Sequence, residues 1–430
     1  MLAVVIKLAL ARYNLYDIAM SHDGVHQVAV GTSVLRSSNS GVDWAVSPYS
    51  AFNNQNNSNL WSVSLSSDGM YQLTCGYENV YESTDRGDGW SAVDVFSDTG
   101  DDVYCRSLAV NSDATVRTIL SSEQLTTGGS ADKIFKWDSS SATWTTAQTL
   151  TQTVSYGFLS LAMSDDGTQQ LAIWRGPGGT RVVLHSVNSG AWTTLTGLPA
   201  HTWWTDAAIS GDGTIQYLVS AFTQTGYDVV TGSIWESVNS GGSFTAISTF
   251  SETHGYAEVD TTSDGRHMTA FAYAHSGSAT NVLAVDRQII PDPNVGGPTQ
   301  HLSGSKTFPE GSEPIKIEIA RTKLAGDKSL QMILSQNAGP EIYRSTDSGL
   351  NWAPQSLPTH PTPTPAPTQQ PPPPPPGPSP PPGPGSSSGD KNGAIIGGAV
   401  GGTLLIVLCG VSYLKCGPSA QHSFTNENLL

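Results

Sequence analysis

Arg106, Arg175 and Arg181 are the residues with which this sequence can hold a polar or anionic ligand, because each stands close to aromatic side chains. Tyr104 lies two residues before Arg106, Trp174 adjoins Arg175, and Trp203, Trp204 and Asp206 form a short run. Trp61 and Tyr256 open comparable stretches elsewhere in the chain. Aromatic faces stack on apolar ligand surfaces, and the guanidinium adds a rigid fork of donors. Around a central depression, that combination suits sugar or peptide binding. The plainer reading of each Trp or Tyr is packing between structural units. No Cys-x-x-Cys or Cys/His spacing points to a metal, no cofactor is implied, and the catalytic residues, if any, stay unassigned.

A repeat must position these residues. An alternating apolar run followed by Ser-x-Asp-Gly occurs at Ser21–Gly24, Ser66–Gly69, Ser164–Gly167, Ser210–Gly213 and, with Thr first, Thr262–Gly265; Asn111–Asp113 and Gly326–Asp327 are weaker copies. Asp-Gly between alternating runs marks a hairpin, since glycine accepts positive φ. The turn aspartates are Asp23, Asp68, Asp113, Asp166, Asp212, Asp264 and Asp327, spaced by 45, 45, 53, 46, 52 and 63 residues. Spacings of that size mean one four-stranded sheet per repeat. The expectation is an all-β, seven-bladed β-propeller over residues 13–356, with six or eight blades left open. The longest spacing predicts an insertion at 288–311.

A second repeat reads Ser-x-Asp-x-Gly-x-x-Trp. It is Ser83, Asp85, Gly87 and Trp90, and again Ser345, Asp347, Gly349 and Trp352. Ser37, Asn39, Gly41 and Trp44 repeat it with Asn, as do Ser237, Asn239, Gly241 and Phe244; Ser186 to Trp192 is one residue short. The pattern resembles the Asp-box, or BNR, repeat of sialidase-like propellers, a superfamily that includes sortilin-like receptors and photosystem II assembly factors of the Ycf48/HCF136 type. The resemblance implies that box and Ser-x-Asp-Gly turns share one face and are scaffold, whereas ligands use the opposite face. On that face it places the ten residues Trp61, Tyr104, Arg106, Trp174, Arg175, Arg181, Trp203, Trp204, Asp206 and Tyr256. The sialidases' Phe/Tyr-Arg-Ile-Pro motif is absent.

The ends differ from the repeats. Residues 1–12 read as a signal peptide or a first strand. Residues 357–392 are Pro-rich and predict an extended, disordered stalk. Residues 393–414 are uncharged and long enough to span a bilayer, leaving a tail at 415–430. Gly393, Gly397 and Gly401 recur every fourth residue, a spacing that can pair two helices. Cys416 is a lipidation candidate at the membrane edge, and Asn56 heads a glycosylation sequon. Cys75 and Cys105 are either a disulfide or two buried thiols. A net charge of −16 argues against nucleic acid. The expected protein is a single-pass membrane protein, its propeller extracellular or lumenal and its tail cytoplasmic, binding a glycan or a protein. A membrane-tethered glycoside hydrolase or a sortilin-like sorting receptor is the alternative.

Overall fold

The computed structural model describes residues 14–48, 59–96, 103–124, 130–152, 157–176, 180–199, 202–225, 228–230, 232–247, 254–265, 267–274, 283–291, 298–307, 312–319, 330–337, 342–347 and 351–358. Of the expected stalk only Leu357 and Pro358 are described, and Leu357 packs against the core rather than beginning an extended segment; residues 359–392, the 393–414 segment with its glycines, Cys416, Asn56 and residues 1–12 lie outside the described residues. Among the described residues no helix is long and apolar enough to cross a membrane.

The chain is a β-propeller. Its described strands form seven antiparallel sheets, within 15–46, 60–93, 103–152, 158–194, 202–247, 254–307 and 312–354. Each is a meander of four strands in chain order; the fifth carries one additional short strand, Asp228–Val230. The first strands run Leu15–Met20, Leu60–Leu65, Val103–Val110, Phe158–Met163, Thr202–Ile209, His254–Thr261 and Ser312–Ile319. Those of the first six sheets line a central cavity of about 140 Å³.

The fourth sheet is apolar on both faces because it is covered on both sides. Leu171 and Ile173 pack with Trp204, Ala207 and Leu218 of the fifth sheet, whereas Ala172 between them packs with Leu120 and Ile134 of the third. Strands buried on both faces read as nearly continuous apolar runs. The ring closes without a shared strand. Leu15, Ile18, Ala29 and Leu35 of the first sheet form one core with Leu330, Met332 and Ile342 of the seventh. Arg344 Nε also donates to the Ser40 carbonyl at 2.6 Å.

The Ser-x-Asp-Gly turns are self-contained hydrogen-bond devices. Ser21 Oγ donates to Asp23 Oδ1 at 2.6 Å, and Asp23 Oδ1 accepts from Val25 N at 2.9 Å. Ser66 with Asp68, Ser164 with Asp166, and Ser210 with Asp212 repeat this arrangement. The third residue pair departs from it: Asn111 Oδ1 takes the Val116 N–H, and Ala114 stands at φ 59° where glycine is expected. The x residues are linked from sheet to sheet. His22 N donates to Ser67 O, Ser67 N to Ser112 O, Ser112 N to Asp165 O, Asp165 N to Gly211 O, and Gly211 N to Ser263 O, all at 2.7–2.9 Å. A belt of backbone bonds thus links the first six sheets at this end of the cavity.

The Ser-x-Asp-x-Gly-x-x-Trp turns use the same chemistry on the outer hairpins. Ser83 Oγ donates to Asp85 Oδ1 and accepts from Gly87 N, both at 2.8 Å, while Asp85 Oδ1 accepts from Gly89 N at 2.8 Å. Asn39 and Asn239 accept from Asp43 N and Ser243 N in the same way, and Asp347 from Asn351 N. Gly87 must be glycine: it sits at φ 81°, and a Cβ there would stand 2.7 Å from Gln72 Oε1. The following Trp44 and Trp90 are buried.

The expected insertion at 288–311 is corrected. Leu283–Pro291 and Pro298–Thr307 are the paired outer strands of the sixth sheet, in register from Leu283↔Thr307 to Pro291↔Pro298. The ladder steps over Gly304, and the prolines stand at its end, where no ladder donor is needed.

These turns predict an acid limit on stability. The Gly89 N–H and the Ser83 hydroxyl hold the Asp85 carboxyl below its ordinary value. The Thr115 hydroxyl does so for Asp113. At Asp212, burial would raise the value, but hydrogen bonds from Thr214 and Ser210 outweigh it. A lowered folded-state value stabilises above the unfolded one, about 3.9 for Asp, and that contribution is lost as pH falls through the folded value. Denaturant unfolding should therefore give a stability plateau down to about pH 5 and a decline below about pH 4. A flat profile to pH 2 would show that the turn carboxylates contribute nothing.

Candidate functional site

The end of the ring opposite the Ser-x-Asp-Gly turns is shaped by a β-bulge repeated in every first strand. The register steps over Tyr16, Trp61, Arg106, Leu159, Thr205, Ala257 and Ile315. In the first six, the bulged residue lies five positions before the first residue of the turn motif. A bulge re-aims side chains at the rim of a sheet. At Asp17, Ser62 and Asp206 the residue after it stitches neighbouring sheets together. Asp17 Oδ2 accepts Val63 N at 2.9 Å, Ser62 Oγ accepts Leu108 N at 3.3 Å, and Asp206 Oδ2 accepts Val259 N at 2.9 Å.

At the second and third sheets the bulges bring aromatic rings and an arginine together. Trp61 and Tyr104 are stacked, 5.8 Å between centroids and 5° between planes. Tyr77 packs on Tyr104 at 5.0 Å, and these two residues also form an isolated β-bridge. The guanidinium of Arg106 lies 5.8 Å from the Trp61 centroid and 5.3 Å from that of Tyr104. A disulfide joins Cys75, two residues before Tyr77, to Cys105, which adjoins Tyr104.

Arg106 is largely buried. Its Nε has no hydrogen-bond partner among the described residues. Burial lowers its affinity for a proton, and the charge of Asp132 partly opposes that. Asp132 is fully buried and accepts the Trp174 indole N–H at 2.8 Å. Gly157, at φ 71°, keeps the space beside Arg106 open: a Cβ there would stand 2.4 Å from Ser122 Oγ and 3.4 Å from Arg106 Nε.

A second arginine–tryptophan pair lies at the fourth and fifth sheets. Arg181 Nη1 donates to the Trp204 carbonyl at 2.8 Å, and its guanidinium lies 5.3 Å from the Trp203 centroid. Burial, with a smaller contribution from Arg175, pushes the Arg181 value down to about 10, so it remains charged at neutral pH. Arg175 faces Arg181 directly across their hairpin.

The ten residues singled out from the sequence therefore divide. Trp61, Tyr104, Arg106 and, through Asp132, Trp174 form one cluster; Arg175, Arg181 and Trp203 form another. Trp204, Asp206 and Tyr256 are internal. Trp204 is packed between sheets and meets Trp235 edge-on at 6.1 Å. Tyr256 is in the core of the next interface, where burial pushes its phenol up. Asp206 accepts from Ser160 Oγ as well as from Val259 N. Sequence reasoning missed Tyr77, Asp132 and Gly157. The fixed offset between bulge and turn is a signal that could have found the bulges.

The Ser-x-Asp-Gly end is differently furnished. Asp165 accepts from Ser263 Oγ at 2.6 Å and lies 3.5 Å from His22 Nε2, so side chains reach between sheets there.

No protein-family model matches the chain, and no curated protein matches it. Solved structures do. Hydrazine synthase from Kuenenia stuttgartiensis is similar at 12% identity with a TM-score of 0.52, over 79% of this chain and 99% of that one. The GH74 xyloglucanase from Xanthomonas campestris is similar at 12% identity with a TM-score of 0.51, over 78% of this chain; this chain spans about half of that one, 52%. YCF48 from Cyanidioschyzon merolae is similar at 19% identity with a TM-score of 0.49, over 76% of this chain and 94% of that one. At such identities the likeness to the xyloglucanase and the hydrazine synthase is one of fold, a β-propeller.

Proposed function

We propose that this chain is a seven-bladed, Asp-box type propeller that binds a carbohydrate on the face where the first strands begin. The observation that carries this reading is the Arg106 guanidinium beside the stacked Trp61 and Tyr104 rings, with its Nε unpartnered among the described residues. Flat aromatic surface plus a fixed donor fork is a binding platform; it provides no acid/base pair. The propeller is displayed outside the cell or in an endomembrane lumen, carried on the 357–392 stalk and the 393–414 span. The Cys75–Cys105 disulfide supports such an oxidising setting.

A glycan array, run in parallel with hydrolysis assays on fluorogenic glycosides, tests this. Binding without turnover is expected. Trp61→Ala should weaken it by about tenfold, the order of one lost aromatic contact. Turnover abolished by substituting a single carboxylate would replace this reading with the alternative, a membrane-tethered glycoside hydrolase.

A further inference from the structure

Resting on the carbohydrate reading, we propose that the ligand is an acidic polysaccharide of the uronate class, one carboxylate received by Arg106 and a sugar ring set against Trp61. Arg106 holds a positive charge in a largely buried place, with ring faces for neighbours and no hydrogen bond from its Nε among the described residues. A buried charge is unfavourable unless it is paired and hydrogen-bonded. Asp132, whose charge acts on Arg106, gives its Oδ2 to the Trp174 indole N–H rather than to the guanidinium. A ligand carboxylate would supply the missing acceptor, in the forked geometry that guanidinium groups favour. Neutral sugar hydroxyls give weaker bonds to the same donors.

A polymer is indicated because the arrangement occurs twice. Arg181 lies over Trp203 as Arg106 lies over Tyr104, at the same 5.3 Å, on the same end of the ring. A chain with a carboxylate on every unit fits repeated arginine–aromatic pairs, where a single terminal acid would use only one. The protein as a whole carries −16 charges. Its overall field therefore repels such a chain, and attraction must come from these local arginines.

The test titrates the full chain calorimetrically with a galacturonate hexamer, with the same hexamer fully methyl-esterified, and with a neutral glucan hexamer. The free acid is expected to bind at least about tenfold tighter than its ester, the order of one charge-assisted pair. Arg106→Gln should erase that preference, the acid and its ester then binding alike, and Arg181→Gln should reduce it. Equal affinity for acid and ester overturns the uronate assignment and leaves carbohydrate binding standing. Tighter binding of the neutral hexamer does the same. Failure of all three saccharides to bind overturns both. The acid–ester comparison needs only the unaltered protein, so it decides even if a variant fails to fold.

Discussion

Cys75→Ser combined with Cys105→Ser is expected to lower the unfolding free energy by about 3 to 4 kcal/mol. The bridge closes a loop of sequence separation 30 and joins the second sheet to the third, with both sulfurs fully buried. Its loss frees the unfolded chain and places two hydroxyls in an apolar core made by Leu73, Val80, Leu108 and Ile119. In a ring where the sheets pack mainly on their neighbours, weakening one interface weakens the whole. Cys75 lies two residues before Tyr77 and Cys105 adjoins Tyr104, so saccharide binding should fall together with stability. Denaturant unfolding of the double variant, and of the natural protein with and without dithiothreitol, measures this. A difference below about 1 kcal/mol would mean that the apolar interface alone holds the two sheets.

The second large effect is expected at Asp206. This buried carboxylate takes the Ser160 hydroxyl of the fourth sheet and the Val259 N–H of the sixth, so one side chain of the fifth sheet joins three. Asp206→Ala strands both donors, at about 1 to 3 kcal/mol each, for a total of about 3 to 5 kcal/mol. Asp206→Asn keeps one acceptor oxygen and offers an N–H₂ where the other stood, so about half of that loss is expected. Urea unfolding of the two variants should give that order, Ala worse than Asn. If the two lose equally little, below about 1 kcal/mol, the carboxylate is not the clasp described here.

The turns were the legible part of the molecule. Ser21-x-Asp23-Gly24 and its copies carry their own hydrogen-bonding instructions within four or five residues, so the sequence shows them directly. The Ser83 to Trp90 type is local in the same sense. The face occupied by Trp203 and Trp204 was not legible, because it depends on the bulge. One extra residue reverses the in–out alternation of everything before it. Counting back from Ser210 gives the wrong parity beyond Thr205, and Trp204 proves to be core. Tyr256 before Ala257 is the same case. Asp132 was hidden for another reason: it lies in a strand of the third sheet and meets Trp174 of the fourth, a pairing set only when the sheets pack. The cysteine pairing likewise needed the third dimension, since two apolar strands can bury thiols as readily as a bridge.

The belt joining the x positions of the Ser-x-Asp-Gly turns is made wholly of main-chain groups. It therefore places almost no demand on residue identity, and a histidine, serines and an aspartate occupy equivalent places in it at His22, Ser67, Ser112 and Asp165. Gly211 is the exception, because Asp165 and Ser263 fill the volume a Cβ would need. Mutational drift can thus rewrite the charge and bulk around this mouth of the ring while the scaffold stays intact. A descendant of this chain seeking a new partner has its cheapest raw material there, at the end remote from the arginines.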